Sequence, residues 1–189
     1  MTNQDLEALL EAGAESPGLD FKASCAWNAP SFAKDILALS NVQDGGHIII
    51  GVDEAADGTF TRRGVSPEHR ETFNIDVMRD HMTAYADPHV NFSVEFARDS
   101  GGLEFIAIKV FPFDEIPVIC RKDAEGLRKA TIYFRNRNRR VESAAVSNSY
   151  DLRDIVERAA VRMMQRMKGL GLAVEPSARK KLDDELKGL

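Results

Sequence analysis

Three acidic residues and a lysine in the first third of this 189-residue chain are the first candidates for chemistry. Glu15 precedes a short alternating segment in which Asp20 and Lys22 share one face, and Asp53 follows a run of apolar residues. If folding brings the three carboxylates together, they repel one another unless Lys22 or a divalent cation compensates them. Such a cluster can hold Mg²⁺ or Mn²⁺ and activate water against a phosphodiester.

A purely structural interpretation of the same four residues stays open. Glu15 would cap a turn, Asp20 would pair with Lys22, and Asp53 would begin the turn that leads to Gly58. The sequence gives no distance between the acids, so it does not choose between these two interpretations.

A second candidate is a basic segment between residues 121 and 140. This segment holds eight basic and two acidic residues, so its net charge is +6. Because the whole chain has a net charge of −5, the remaining residues carry −11. Arginines after a strand that contains Tyr133 and Phe134 suit phosphate binding with stacking of bases, whereas the alternative is a solvated loop paired with surplus acids. We expect nucleic-acid contacts from Arg121, Lys122, Arg128, Lys129, Arg135, Arg137, Arg139 and Arg140.

The sequence gives little support for a phosphate-binding loop, a zinc site or a serine nucleophile. Gly45-Gly46 lacks the Lys-Ser/Thr of a phosphate-binding loop and indicates a tight turn. The four histidines show no i, i+4 pair for zinc, and no Gly-x-Ser-x-Gly element occurs. Trp27 is expected to anchor the core or a lid rather than to stack on bases.

Hydrophobic periodicity predicts the elements that position these residues. A capping start at Thr2, a proline suited to a first helical turn at Pro30 and a glycine turn before an apolar run are the clearest signals. We predict helices over 3–12, about 30–42, from about 66 to 86 and 150–168. We predict strands over 19–23 and 47–52, a hairpin from 90–97 and 103–110, and two strands over 117–121 and 130–135 joined by a basic loop.

Four of these segments together resemble the Schlafen AlbA-type DNA-binding domain family. The segments are Glu15–Lys22 with its acid-Phe-Lys triplet, the helix Ala33–Asn41, the glycine turn and strand that end in Gly51-Val52-Asp53, and Ile132–Asn138. The resemblance covers Glu15 to Arg140, most of the chain. In one respect the chain departs from the family pattern, because Asp20 stands where Glu is usual.

The resemblance implies a DNA-binding protein, such as a transcriptional regulator. It also implies an alternative, because related Schlafen proteins have a three-carboxylate nuclease site whose acids correspond to Glu15, Asp20 and Asp53, beside Lys22. In that case the three acids would bind Mg²⁺ or Mn²⁺; otherwise no cofactor is expected. Sequences of this type have also been labelled divergent ATPases, which the glycine turn does not support.

Size and composition favour one domain over residues 1–149, followed by an accessory helix and charged tail over 150–189. No apolar run reaches the roughly 18 residues of a membrane span, and no secretion signal is present, so we expect a cytoplasmic protein. Cys25 and Cys120 are expected to be free thiols. Met163, Met164 and Met167, beside Leu170 and Leu172, predict an exposed apolar strip and a symmetric homodimer.

The sequence therefore predicts an α/β fold of the α+β type, with a mixed sheet flanked by helices. The leading function is nucleic-acid binding, DNA or RNA, through backbone contacts. A metal-dependent ribonuclease and a protein-interaction module are the alternatives.

Overall fold

A computed structural model describes residues 1–135 and 141–172 of the chain. The helices are α1 (Asn3–Glu11), α2 (Ala29–Ser40), α3 (Pro67–Arg70), α4 (Ile75–Thr83) and α5 (Ser149–Gly169). The strands are β1 (Leu19–Lys22), β2 (Gly46–Ile50), β3 (Val52–Glu54), β4 (Phe60–Arg62), β5 (Ala86–Asp87), β6 (Phe92–Arg98), β7 (Glu104–Val110), β8 (Ile119–Cys120), β9 (Tyr133–Arg135) and β10 (Ser143–Ala145).

The central sheet has four strands in the order β1-β2-β7-β6. β1 runs parallel to β2, with Asp20 opposite Ile48, and the remaining pairs are antiparallel. Three two-stranded sheets surround it, formed by β3-β4, β5-β8 and β9-β10. This mixed sheet with flanking helices confirms the predicted fold class, and β6-β7 is the predicted hairpin.

The two faces of the sheet bury separate apolar clusters. On one face, Leu6 and Leu10 of α1 pack with Leu19 and Phe21 of β1. On the other face, α2, α4 and part of α5 cover residues of β2 and β7. The alternation predicted for β1 is confirmed, because Leu19 and Phe21 lie in the first cluster while Lys22 contacts Asp35 of α2.

The predicted strand over 47–52 is wrong at its end. Gly51 has φ of +115°, so β2 ends at Ile50 and the chain turns into β3. A Cβ at Gly51 would lie 2.9 Å from the carbonyl carbon of Gly64 and 2.9 Å from a ring carbon of Phe105, so the turn packs too tightly for a side chain.

The helix predicted from 66 to 86 is also wrong, because two helices occupy that stretch. α3 ends at Arg70, and the Asn74 side chain begins α4 by accepting hydrogen bonds from the backbone N–H groups of Asp76 and Val77 over 3.0 and 3.2 Å. Phe73, between the helices, is buried against Trp27 and Phe32. Periodicity alone missed the interruption because Phe73, which lies between the two helices, packs on the same core as Met78 and Met82 of α4.

The Gly45-Gly46 turn is explained by close packing. Gly45 has φ of +71°, and a Cβ at Gly46 would lie 2.5 Å from the Gly18 carbonyl oxygen and 2.6 Å from Leu39. The turn therefore brings α2, the start of β2 and the approach to β1 into contact.

Candidate nucleic-acid interface and its buried ion network

Asp20 and Arg135 form a buried ion pair between β1 and β9. The guanidinium donates from Nη1 to Asp20 Oδ1 over 2.6 Å and from Nη2 to the Leu19 carbonyl over 3.2 Å. The Arg135 side chain is 0% exposed and that of Asp20 is 9% exposed. Because the pair is buried away from water, the attraction between the two charges is strong, and removing one partner costs much stability.

Glu15 lies beside this pair at the outer edge of β1. Its Oε1 accepts a hydrogen bond from the Phe21 backbone N–H over 3.0 Å, and its Oε2 is 3.6 Å from Arg135 Nη2. Partial burial raises the pKa of the Glu15 carboxyl above its usual value; the neighbouring charge of Asp20 also raises it, while the Phe21 hydrogen bond and Arg135 act in the opposite direction.

Lys22 joins the network from the α2 side. Its Nζ lies 2.7 Å from Asp35 Oδ2, 3.1 Å from Asp20 Oδ2 and 5.7 Å from the centre of the Phe32 ring. Burial alone lowers the pKa of Lys22, but Asp35 and Asp20 outweigh it and raise this pKa above its ordinary value. Lys22 is therefore a charged structural partner of Asp20, as the structural interpretation predicted.

The structure does not bring Glu15, Asp20 and Asp53 together as a metal site. Asp53 is half-exposed at 48% and faces Arg63 Nε at 3.7 Å. Over residues 1–135 and 141–172, no three acidic, histidine or cysteine side chains lie close enough to hold a metal ion. Asp35, which sequence reasoning missed, instead joins Asp20 around Lys22.

The four cations of the segment before β9 are exposed. Lys122 lies 4.1 Å from the centre of the Tyr85 ring, and Arg121 Nη1 donates to the Thr83 carbonyl over 3.5 Å. Asp123, an acid of the same segment, accepts a hydrogen bond from the backbone N–H of Lys129 over 3.0 Å. We call the segment 121–131 the basic loop; its exposed cations are Arg121, Lys122, Arg128 and Lys129.

Three expectations for the strand itself need correction or lie outside the described residues. Arg135 does not face solvent, because its guanidinium is buried against Asp20 and Leu19. Tyr133 and Phe134 are buried too, so they are not free to stack on bases. Arg137, Arg139 and Arg140 lie outside the described residues.

An open groove of about 940 Å³ runs beside the basic loop. Lys34 of α2 lines it together with Arg128, Thr131 and Glu142. Sequence reasoning missed Lys34, because nothing in a helical pattern indicates that a residue 94 positions before Arg128 shares a groove with it. Trp27, by contrast, packs 5.0 Å from Phe32 between ring centres, as expected of a core anchor.

The chain belongs to the family described as Schlafen, AlbA_2, whose model matches residues 15–144. That range holds the β1 acids, α2, the glycine turn, the basic loop and the β9-β10 hairpin except its last residue, which confirms the resemblance. No curated protein matches the chain.

The comparison with solved structures gave matches that include the following two. The N-terminal domain of an ATP-dependent DNA helicase RecG-related protein from Nitrosomonas europaea shares 16% identity over 79% of this chain and 92% of that one, with a TM-score of 0.51. The DIP2311 protein from Corynebacterium diphtheriae shares 18% identity, with a TM-score of 0.48, over 79% of this chain and 28% of that one. At such identities the first likeness shows the fold alone.

None of the helices within residues 1–135 and 141–172 is long and apolar enough to cross a membrane.

Proposed function

We propose that this protein binds nucleic acid by contacting the phosphate backbone through its basic loop. The observation that carries the proposal is four exposed cations in one loop, none of which forms an ion pair with an acid among the described residues. Cations without an acidic partner can replace the counterions of a phosphate chain.

The local structure supports the same conclusion. The Asp123 carboxylate binds the backbone of Lys129 and not its ammonium, which leaves that charge available to a ligand. The adjacent groove adds Lys34, so cations lie on α2 as well as on the loop. Membership in the Schlafen AlbA_2 family and a structural neighbour named for a DNA helicase fit a nucleic-acid-related role. DNA is the leading ligand because of the family, and RNA is the alternative.

The first test removes two loop charges. Arg128→Ala/Lys129→Ala should weaken binding to DNA of every sequence about equally, and should reduce the slope of log K against log salt by about two, since each lost phosphate contact removes roughly 0.9. Fluorescence anisotropy with labelled single- and double-stranded DNA and RNA across a salt series measures both quantities.

A matched control removes two exposed arginines elsewhere. Arg98 lies on β6, at the opposite edge of the sheet from β1, and Arg153 pairs with Glu157 on α5. Arg98→Ala/Arg153→Ala changes the net charge equally and should leave the salt slope unchanged. Equal loss in both double variants would mean that net charge, and not the basic loop, controls binding.

We also propose that two copies associate through α5. Leu152, Val156, Met163 and Met167 of this helix form an exposed apolar stripe with Leu170, which caps its end, and each is at least 41% exposed. All three acids of α5 precede Arg158, and four of its five basic residues lie from Arg158 onward. Antiparallel pairing of two identical helices therefore brings acidic and basic halves together, which favours a second copy as the partner.

A further inference from the structure

The β9-β10 hairpin is attached to the central sheet without a shared backbone ladder. β9 and β10 pair only with each other among the described strands. Side chains make the attachment: Asn41 Nδ2 donates to the Tyr133 carbonyl over 3.0 Å where β9 begins, and Arg135 binds Asp20 and Leu19 where it ends. The hairpin is thus held at both ends of a three-residue strand.

The Arg135 end of this attachment also completes the free edge of β1. β1 is an edge strand, whose outward backbone groups need partners. Arg135 donates to the Leu19 carbonyl, and Glu15 accepts from the Phe21 N–H. Asp20 supplies the charge that makes burial of the guanidinium tolerable, at 2.6 Å.

β9 in turn holds the basic loop. The Tyr133 hydroxyl accepts a hydrogen bond from the backbone N–H of Arg128 over 2.8 Å and lies 3.5 Å from the Gly126 carbonyl. Tyr133 is buried, so the loop backbone is hydrogen-bonded to a side chain that lies in the core. A continuous chain of contacts therefore runs from Asp20 through Arg135 and Tyr133 to Arg128.

We infer that Asp20 is a positioning residue of the nucleic-acid interface: by binding Arg135 it fixes β9 on the edge of β1, and through Tyr133 it sets the position of the basic loop. This inference rests on the proposed function, and it gives the β1 acid a role that needs no metal ion. Arg135 itself does not touch the ligand, because its side chain is 0% exposed.

The inference predicts an effect opposite in sign to simple electrostatics. Removing an acid near a phosphate-binding surface should strengthen binding if charge alone mattered, since repulsion falls. If Asp20 acts through Arg135, Asp20→Asn should instead weaken binding by about tenfold, because the loop loses its fixed position. Amide hydrogens of peptides within 126–135 and 141–146 should exchange faster, while those of β6 and β7 keep their protection.

The experiment combines hydrogen exchange by mass spectrometry with anisotropy on a labelled DNA duplex, using the full chain. Glu54→Gln is the matched control, because it removes one negative charge from an exposed residue at the end of β3. Asp20→Glu keeps the charge and should retain both the protection and the binding. Arg135→Met should weaken binding and speed exchange as Asp20→Asn does. The double variant Asp20→Asn/Arg135→Met should recover part of the lost binding and protection, because it leaves no unpaired guanidinium in the interior.

Distinct results overturn the inference and the proposed function. Unchanged exchange around β9 in both Asp20→Asn and Arg135→Met would overturn the inference, whatever the binding data. Weaker binding by Arg135→Met with tighter binding by Asp20→Asn would also overturn it, because Arg135 would then contact the ligand itself. If the parent protein binds no nucleic acid, the proposed function fails while the exchange data still decide the anchoring role.

Should Asp20→Asn fail to fold, Arg135→Lys replaces it in the test. This variant keeps the buried positive charge but loses the planar fork that reaches both Asp20 and Leu19. We expect faster amide exchange around β9 and weaker DNA binding. Values equal to those of the parent protein in both measurements would refute the inference that the Asp20–Arg135 pair fixes β9.

Discussion

At the scale of single residues, Arg135 shows how a member of a basic run can have a structural role. Its neighbours in sequence suggest a phosphate contact, yet its guanidinium is enclosed by Asp20, Leu19 and Glu15. Burial of a charge without a partner costs several kcal/mol, so the position of Arg135 is determined by the acids that receive it.

The stability of the Asp20 variant follows from this enclosure. Asp20→Asn leaves a buried guanidinium with only partial compensation from Glu15, and we expect a loss of about 3 kcal/mol in the free energy of unfolding. Urea denaturation at neutral pH measures it. A stability gain would indicate that repulsion among the acids outweighs the pair with Arg135.

Glu15 should respond to pH in the opposite sense to a typical paired carboxylate. Because partial burial raises its pKa in the folded state, ionised Glu15 destabilises the fold relative to the protonated form. This loss of stability is absent at pH values below the pKa of Glu15 in the unfolded chain, near 4.5. It reaches its full size once the pH exceeds the raised pKa of Glu15 in the folded protein. Glu15→Gln should therefore melt at or above the parent temperature at pH 7.

The pH dependence of the comparison is the decisive part. The melting advantage of Glu15→Gln should shrink as the pH falls toward 4, where the parent carboxyl is itself protonated. A variant that melts below the parent at pH 7, and by less at pH 4, would show that ionised Glu15 stabilises Arg135.

At the scale of elements, Asn41 joins three parts of the chain. It follows α2, is fully buried, donates from Nδ2 to the carbonyls of Leu37, Val118 and Tyr133, and accepts from the Val118 N–H at Oδ1 over 2.9 Å. Helix α2, the strand region near 118 and β9 therefore meet at one amide. This geometry gives the asparagine at the end of α2 a structural explanation.

Replacing Asn41 should affect the whole assembly of these elements. Asn41→Ala leaves several buried backbone groups without a hydrogen-bond partner, and each such group costs about 1–3 kcal/mol. We therefore expect a loss of at least about 3 kcal/mol in the free energy of unfolding. Thermal melting followed by circular dichroism tests this. As a control, Asn91→Ala removes an exposed amide whose contact to Asp114 is 3.4 Å long and should change stability little.

At the scale of the whole molecule, charge and apolar surface are unevenly distributed. Four exposed cations lie on the basic loop of a chain whose net charge is −5, so the charge of this loop is opposite in sign to the net charge of the chain. The exposed stripe of α5 lies on another element. Dimerisation through α5 would place two basic loops in one assembly.

The assembly is tested by multi-angle light scattering. We expect a dimer of about twice the 21.0 kDa chain mass at micromolar concentration. Val156→Glu/Met163→Glu places two acids in the stripe and should give the monomer with unchanged circular dichroism. A parent protein that runs as a monomer at all concentrations would exclude this interface.

The sequence by itself determined the local elements and the family. Alternation in β1, the apolar stripe of α2 and the β6-β7 hairpin are patterns within a few residues, so periodicity predicts them. The chemistry at Lys22 was also predictable in part, because Asp20 lies two positions away on the same strand face.

Only the tertiary structure decided which charged side chains form ion pairs inside the protein and which are exposed to solvent. Arg135 meets Asp20 across 115 positions, and Lys34 reaches the groove of a loop that begins far along the chain. Asp53 faces Arg63 after the turn at Gly51, which packs against Gly64 and Phe105. Burial and pairing depend on these long-range contacts, and residue type and spacing do not encode them locally.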